Sequence, residues 1–288
     1  MKNVSWFIFV LRCTELAAAS QAVPFPDEGP AVFVFRIISV GAAQRDPFVA
    51  CLAKNELPFW RGLKEKGLLA KVSVFETTSV TSSEPGVPAW NFVISSELAQ
   101  DATADLFLEA LGKRKGCNSA PGIELRRIET LKTTPNTHYA RATAEGDRIA
   151  REKVEFSIEY IAVDPAKLDR WNEIYSLIGG PAKGLQIQGG TTFSAEALLT
   201  VKVNYSQPGM PGWNTIHVLG GFLGGDATAK RAASDAAIRQ VSPDSGSFRE
   251  LMAQRGFPVP QDQPAGFHSF VAQPRVDRAR QLFELAVR

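Results

Sequence analysis

The chain lacks an excess of charge of either sign. Thirty-two Lys and Arg residues stand against 30 Asp and Glu residues, which leaves a formal net charge of +2 over 288 residues. Charges of one sign do not gather into long runs. Proteins that bind nucleic acid carry a basic patch or stripe, so this composition argues against nucleic acid as a partner.

Cysteine is scarce, with three residues, Cys13, Cys51 and Cys117, that are widely spaced and form no Cys-x-x-Cys pair. This excludes a zinc knuckle and a dithiol redox motif. If Cys13 is removed with a leader, Cys51 and Cys117 can pair as one disulfide. Because Cys51 falls in an apolar helical stretch, a buried and inert thiol is the other interpretation.

Histidine and the common catalytic motifs are also sparse. The three histidines include His138 and His268, and neither has a Cys, Asp or Glu at ligand spacing, so we expect no metal site. Gly-x-Ser-x-Gly, His-Glu-x-x-His and Gly-Lys-Ser/Thr sequences are missing. Their absence removes the commonest hydrolase, metalloprotease and nucleotide triphosphatase motifs.

Long apolar runs are confined to the N-terminus. An apolar run over residues 4–11 is followed by small residues at 17–22, as in a secretory signal, although Arg12 and Glu15 interrupt it. We expect residues 1–22 to be a cleaved signal, which would make the protein periplasmic or extracellular, and otherwise cytoplasmic. No other segment approaches the ~18 consecutive apolar residues of a membrane span.

An internal repeat is the strongest positive signal. The sequence PGVPAWN at 85–91 returns as PGMPGWN at 208–214, an offset of 123 residues. The same offset aligns Phe33 with Phe156 and Thr77 with Thr200 without a gap. The sequence therefore predicts two copies of one folding unit, over 31–135 and 154–274.

Both copies show the same order of local patterns: strand, helix, strand, strand, helix, strand. This order is typical of a ferredoxin-like unit. The predicted strands are 32–40, 71–80, 90–96 and 123–132 in the first copy, and 154–163, 195–205, 213–219 and 267–272 in the second. We expect residues 136–153 to be a polar, helical connector and 275–288 to be an amphipathic C-terminal helix.

The helix ending in FWRGLKEKG at 59–67, the strand after it and the Trp-Asn strand starts resemble the dimeric α/β-barrel superfamily over residues 31–274. The resemblance implies an α+β fold in which two ferredoxin-like βαββαβ units pack sheet to sheet as a barrel within one chain. Such a chain would be a monomer with a pseudo-dimeric barrel or a homodimer.

The superfamily includes cofactor-free monooxygenases, small isomerases, heme enzymes and proteins of no known activity, so the fold alone does not choose a function. No segment matches the proximal histidine region of the heme enzymes. We therefore expect no cofactor, with heme as the alternative.

Two charged residues occupy equivalent positions in the first strands. Arg36 and Glu159 are related by the 123 offset and lie on the strand face opposite the phenylalanines. We expect them to meet inside the barrel, either as a buried ion pair or as a polar handle for a ligand.

His217 is the main catalytic candidate because its counterpart under the offset is the apolar Ile94. Such asymmetry predicts a specialised site with His217 as base, acid or heme ligand, whereas a hydrogen-bonded core histidine is the alternative. Further ligand-binding candidates are the repeated pairs Trp90, Trp213, Asn91 and Asn214. Their presence in both copies also fits a structural role for them, since a single site would not need both.

Three functions follow from these residues. The first is an exported protein that holds a small apolar or aromatic molecule between the two sheets. The second is a cofactor-independent monooxygenase or isomerase that uses His217 and Arg36. The third is a heme-binding barrel enzyme.

Overall fold

The computed structural model describes residues 30–100, 102–114, 116–117, 120–140, 154–190, 192–255 and 271–285. The predicted signal at 1–22, Cys13, His268 and most of the predicted connector lie outside the described residues.

The described chain contains eight strands and seven α-helices. The strands are β1 (Val32–Val40), β2 (Leu69–Ser83), β3 (Phe92–Leu98), β4 (Ile123–Ala140), β5 (Val154–Val163), β6 (Phe193–Ser206), β7 (Thr215–Phe222) and β8 (Val271–Leu285). The α-helices are α1 (Arg45–Cys51), α2 (Leu57–Glu65), α3 (Ala104–Gly112), α4 (Leu168–Ile174), α5 (Gly180–Gly189), α6 (Ala227–Val241) and α7 (Phe248–Gln254). Two π-helical turns, Leu52–Glu56 and Tyr175–Gly179, join α1 to α2 and α4 to α5.

All eight strands form one closed antiparallel barrel in the order β1-β3-β2-β8-β5-β7-β6-β4. The predicted fold class, two ferredoxin-like sheets packed face to face, is therefore wrong. The reason lies in strand length: β2, β4, β6 and β8 have 15, 18, 14 and 15 residues, more than the sequence pattern predicted. Their extensions pair β2 with β8 and β4 with β6, so hydrogen bonds run continuously around the barrel.

The prediction of a C-terminal helix at 275–288 is also wrong. Residues 271–285 form the single strand β8, which pairs with β2 on one side and with β5 on the other. Two ladders of backbone hydrogen bonds override the amphipathic helical pattern, because tertiary pairing outweighs local propensity.

Apolar side chains from every strand fill the interior of the barrel. The buried residues there are Phe33, Phe35, Ile37, Phe75, Trp90, Val93, Leu131, Ile158, Tyr160, Leu199, Trp213, Ile216 and Ala279. The outer face of the barrel is covered by helices, with one apolar layer under α1, α2 and α3 and another under α4 and α7. None of the described helices has the length and apolar character of a membrane-spanning helix.

A disulfide joins Cys51, at the end of α1, to Cys117, beyond α3. The pairing that the sequence left open is thus present, and it closes a loop of 66 residues over the outer layer of the first half.

Candidate functional site

Arg36 and Glu159 do not meet, which corrects the expectation from the sequence. The phenylalanine face of β1 turns into the barrel, so Arg36 lies on the outer face under the helices, where its Nη2 is 3.1 Å from Glu56 Oε2. Arg114 also pairs with Glu56, and both Arg36 and Glu56 are buried. Glu159 faces a different helical layer and pairs with His217.

Asn91 and Asn214 hold strand ends together. The Asn91 side chain accepts a hydrogen bond from Val40 N at 2.8 Å and donates one to Val40 O at 3.0 Å. Asn214 makes the same pair of bonds with Val163, at 2.9 and 2.8 Å. These amides mimic a backbone ladder, so their role in the structure is architectural.

Trp90 and Trp213 lie inside the barrel with ring centroids 6.0 Å apart. Trp90 Nε1 donates to Tyr160 Oη at 3.2 Å and to Asp277 Oδ2 at 3.0 Å. The Tyr160 ring lies 4.9 Å from that of Trp213. The two tryptophans therefore plug the interior rather than line an open binding surface.

Two arginines stack on these tryptophans across the halves of the chain. Arg127 of β4 lies 3.8 Å above the Trp213 ring, and Arg275 of β8 lies 3.7 Å above the Trp90 ring. Each arginine also pairs with an acid on its own strand: Arg127 Nε is 2.5 Å from Glu129 Oε1, and Arg275 Nε is 2.7 Å from Asp277 Oδ1. Burial raises the pKa of Glu129 to about 7.

His217 lies between two carboxylates on the outer face of the barrel. Its Nδ1 is 3.1 Å from Glu159 Oε2, and its Nε2 is 3.0 Å from Glu196 Oε1. The strands set this geometry: Glu159 of β5 faces His217 of β7 directly, and Glu196 lies on the neighbouring β6. The side chain of Glu159 is 27% exposed, whereas that of Glu196 is 0% exposed.

The electrostatics of this cluster favour a charged imidazole. Burial alone would lower the pKa of His217, but the hydrogen bonds with Glu159 and Glu196 outweigh it and raise the pKa to about 9. Burial alone would raise the pKa of the Glu159 carboxyl. The hydrogen bond and the positive charge of His217 act against burial, and the pKa is lowered. Burial prevails at Glu196 and raises the pKa of that carboxyl. Among the described residues, no group hydrogen bonds to Glu196 Oε2.

Two side chains from the helical layer complete the site. Tyr175, in the second π-helical turn, packs against the imidazole of His217 with centroids 5.9 Å apart. Lys183 of α5 places its Nζ 3.9 Å from the Phe193 ring centroid and lies within the electrostatic reach of both glutamates. We call Glu159, His217, Glu196, Tyr175 and Lys183 the His217 site.

The corresponding positions in the first half are apolar. Ile94 stands where His217 does, Leu52 where Tyr175 does and Trp60 where Lys183 does, each at the 123 offset. Val72 corresponds to Glu196 by register, because Val72 faces Ser96 as Glu196 faces Leu219. The first half is therefore sealed with hydrocarbon where the second carries ionisable groups.

Sequence reasoning identified His217 and Glu159 but missed Tyr175, Lys183 and Glu196. The 123 offset could have identified Lys183 and Tyr175, since each replaces an apolar residue. Glu196 was hidden because the pairing of the strands aligns β6 with β2 at an offset of 124, whereas the offset of 123 sets Glu196 against Ser73, a polar residue, instead of Val72. Among the described residues no group of three or more His, Cys, Asp or Glu side chains is arranged so that it could hold a metal ion.

The chain matches no protein-family model and no curated protein. Similar solved structures include a protein from Fusobacterium nucleatum that is named as a candidate monooxygenase. It has 11% identity and a TM-score of 0.48, and the match covers 90% of this chain and 94% of that one. A dye-decolorizing protein from V. cholerae has 12% identity, TM-score 0.45, and coverage of 89% and 95%. A heme-binding protein from Thermus thermophilus has 11% identity, TM-score 0.40, and coverage of 91% and 95%. The activities in these names belong to those proteins.

The described residues do not fit a heme through His217. An axial ligand needs a ring nitrogen that faces the iron, whereas both nitrogens of His217 lie within hydrogen-bond distance of carboxylates. His138 lies elsewhere, with its ring 5.3 Å from that of Phe33. The arrangement suits the movement of protons instead, because an imidazole joins a partly exposed acid to a fully buried one.

Proposed function

We propose that the chain is a cofactor-independent proton-transfer enzyme, an isomerase or monooxygenase that acts on a small aromatic molecule with an acidic C–H or O–H bond. The proposed site is the His217 site on the outer face of the barrel. The proposal rests on one observation. The imidazole of His217 bridges two carboxylates of unequal exposure, since the side chain of Glu159 is 27% exposed and that of Glu196 is 0% exposed.

Each member of the site has a role in this proposal. Glu196 exchanges a proton with the substrate, since its Oε2 is buried and has no described hydrogen-bond partner. As an acid this atom lacks an acceptor and as a carboxylate it lacks a donor. A substrate hydroxyl meets the need in either state, and an acidic C–H group meets it when Glu196 is a carboxylate. His217 passes the proton between Glu196 and Glu159, and Glu159 exchanges it with solvent.

The location differs from the one expected from sequence. Side chains from all eight strands occupy the space inside the barrel, so the ligand site moves from between the strands to the layer beneath α4 and α5. Arg36 is not part of the proposed catalytic site, because it is buried with Glu56 under the helices of the first half.

Hydrogen–deuterium exchange tests the proposal. The α-protons of 2-tetralone, an enolisable aromatic ketone, are followed by proton NMR in D2O with wild type, Glu196→Gln and His217→Gln. General acid–base catalysis contributes typically about 10²–10⁴-fold, so we expect each variant to lose most of the protein-dependent exchange. Glu173→Gln, an exposed carboxylate of α4, is the matched control and should exchange like wild type.

Circular dichroism confirms that each variant is folded. Equal exchange in wild type and Glu196→Gln would contradict the proposal. Saturable binding of 2-tetralone without exchange would favour the plain binding protein, and a Soret band in protein from heme-supplied cells would favour the heme enzyme.

A further inference from the structure

We propose that Lys183 is a nucleophile of the His217 site and forms an imine with the carbonyl carbon of an aldehyde or ketone substrate. This inference rests on the proposed function, because the same carboxylates would move the protons that imine formation requires. It narrows the substrate class from molecules with an acidic proton to carbonyl compounds with a proton on the neighbouring carbon.

The packing of α5 brings Lys183 close to the sheet. A Cβ at Gly180 would lie 2.0 Å from Asn136 O, and one at Gly184 would lie 3.1 Å from the Tyr139 ring, so the helix can approach β4 only because both residues are glycine. Lys183 lies between these two contacts, with its Nζ 3.9 Å from the Phe193 ring of β6. The short helix-to-sheet distance therefore holds the amine within the layer.

The surroundings of the amine lower its pKa below the ordinary value for lysine. Burial is the cause, and the attraction of Glu196 and Glu159 only partly offsets it. Among the described residues no carboxylate lies within ion-pair distance of its Nζ. The neutral amine attacks carbonyl groups, and a lowered pKa increases the neutral fraction at a given pH.

The first half offers a comparison at the same position. Trp60 stands at the place of Lys183 and is 1% exposed, and the Arg36 guanidinium lies 6.0 Å from its ring. An indole thus fills the layer over the charged strand residue. A requirement for packing alone would be met by an aromatic residue, so the amine in the second half needs another explanation.

The reaction balances with the groups present. The Lys183 nitrogen bonds to the carbonyl carbon and loses a proton to Glu159. Glu196 gives its proton to the carbonyl oxygen and is reprotonated from Glu159 through His217, which leaves a neutral carbinolamine. The protonated carboxyl of Glu196 then gives a second proton to the carbinolamine hydroxyl, the C–O bond breaks, water leaves and a protonated imine remains. The Glu196 carboxylate then removes a proton from the neighbouring carbon to give an enamine. No electrons enter or leave, so no oxidant or reductant is required.

Reductive trapping tests the imine. Full-length protein is incubated with 2-tetralone and sodium cyanoborohydride, which reduces the C=N bond to a stable secondary amine, and the modified peptide is identified by mass spectrometry. We expect the tetralyl adduct on Lys183 in wild type. Lys183→Arg keeps a long basic side chain but has no nucleophilic amine, so it should lose the adduct and the rapid exchange.

Lys202→Arg, which changes an exposed lysine of β6, is the control and should keep both. The wild-type peptide map needs no variant, so it stays decisive if Lys183→Arg does not fold. Exchange without an adduct on Lys183 would overturn the imine and leave the proton-transfer function standing. An adduct on Lys183 without exchange would support the nucleophile and contradict the proton-transfer function.

Discussion

At the scale of single residues, neighbouring charges decide the state of His217. A histidine with this burial and no acid nearby would be neutral at pH 7, because desolvation disfavours the imidazolium. The two glutamates reverse this tendency and raise its pKa to about 9. The imidazolium then donates to both carboxylates, which fixes the ring between β5 and β6.

This pKa predicts how stability depends on pH. The folded value of about 9 lies above the ordinary value of 6.5, so the charged histidine stabilises the fold fully below pH 6.5. That contribution is lost as the pH rises through 9. We expect the difference in unfolding free energy between wild type and His217→Gln to shrink between pH 6.5 and pH 10, measured by urea denaturation.

NMR titration of the His217 ring gives an independent measurement of the same pKa. Glu159→Gln should lower the midpoint, because it removes one of the two negative charges that stabilise the imidazolium. A wild-type midpoint at or below 6.5 would contradict the assignment of the two glutamates as the cause.

The amino-acid sequence could identify His217 because the 123 offset holds along β7 and aligns this polar residue with the apolar Ile94. It could not identify Glu196, since residues of β6 and β2 that are equivalent by strand pairing lie 124 positions apart, and the 123 offset aligns Glu196 with Ser73. It also placed Arg36 and Glu159 together, because alternation along a strand shows that two residues share a face but not which face turns inward.

At the scale of elements, the close approach of α5 to β4 depends on a bulge. Residues 134–137 of β4 stand opposite Leu198 alone, and Asn136 adopts a positive φ of 58° there. The bulge carries Asn136 O toward the first turn of α5, where only Gly180 leaves room for it. The strand predicted to end at 132 therefore continues to 140, and propensity could not indicate this because the ladder resumes only after the bulge.

Gly180→Ala tests this contact. The new Cβ would lie 2.0 Å from Asn136 O and 2.8 Å from Thr137 Cγ2. We expect a loss of about 1–3 kcal/mol in the free energy of unfolding, since overpacking forces backbone shifts. The matched control is Gly62→Ala in α2, where nothing lies within 4 Å of the new Cβ. It should gain up to ~1 kcal/mol from helix propensity. Equal effects in the two variants, measured by urea denaturation, would contradict the role of the bulge.

At the scale of the whole molecule, the halves are interlocked. β2 pairs with β8 and β4 with β6, and each half supplies the arginine that stacks on a tryptophan of the other. The sequence predicted the strand order within each half but not the closure. The repeat shows which segments of the two copies are equivalent. Closure of the barrel depends instead on the extended strands, through which the two copies pair with each other. The two-copy origin stays a prediction.

Interlocking predicts one cooperative unfolding transition. Tryptophan fluorescence reports on the barrel interior through Trp90 and Trp213 and on the outer layers through Trp60 and Trp171, and far-UV circular dichroism reports on all strands and helices. We expect the two signals to change together in urea, because neither half can open without breaking the shared ladders. Separate midpoints for the two signals would show that the halves unfold independently.

The position of β8 in the barrel also sets the order of assembly during synthesis. This strand comes last in chain order yet inserts between β2 and β5, so a nascent chain that has released its first seven strands still has a gap in the wall. The ring of hydrogen bonds closes only after residue 285 has left the ribosome. Until then the edges of β2 and β5 that β8 will cover keep unpaired backbone groups.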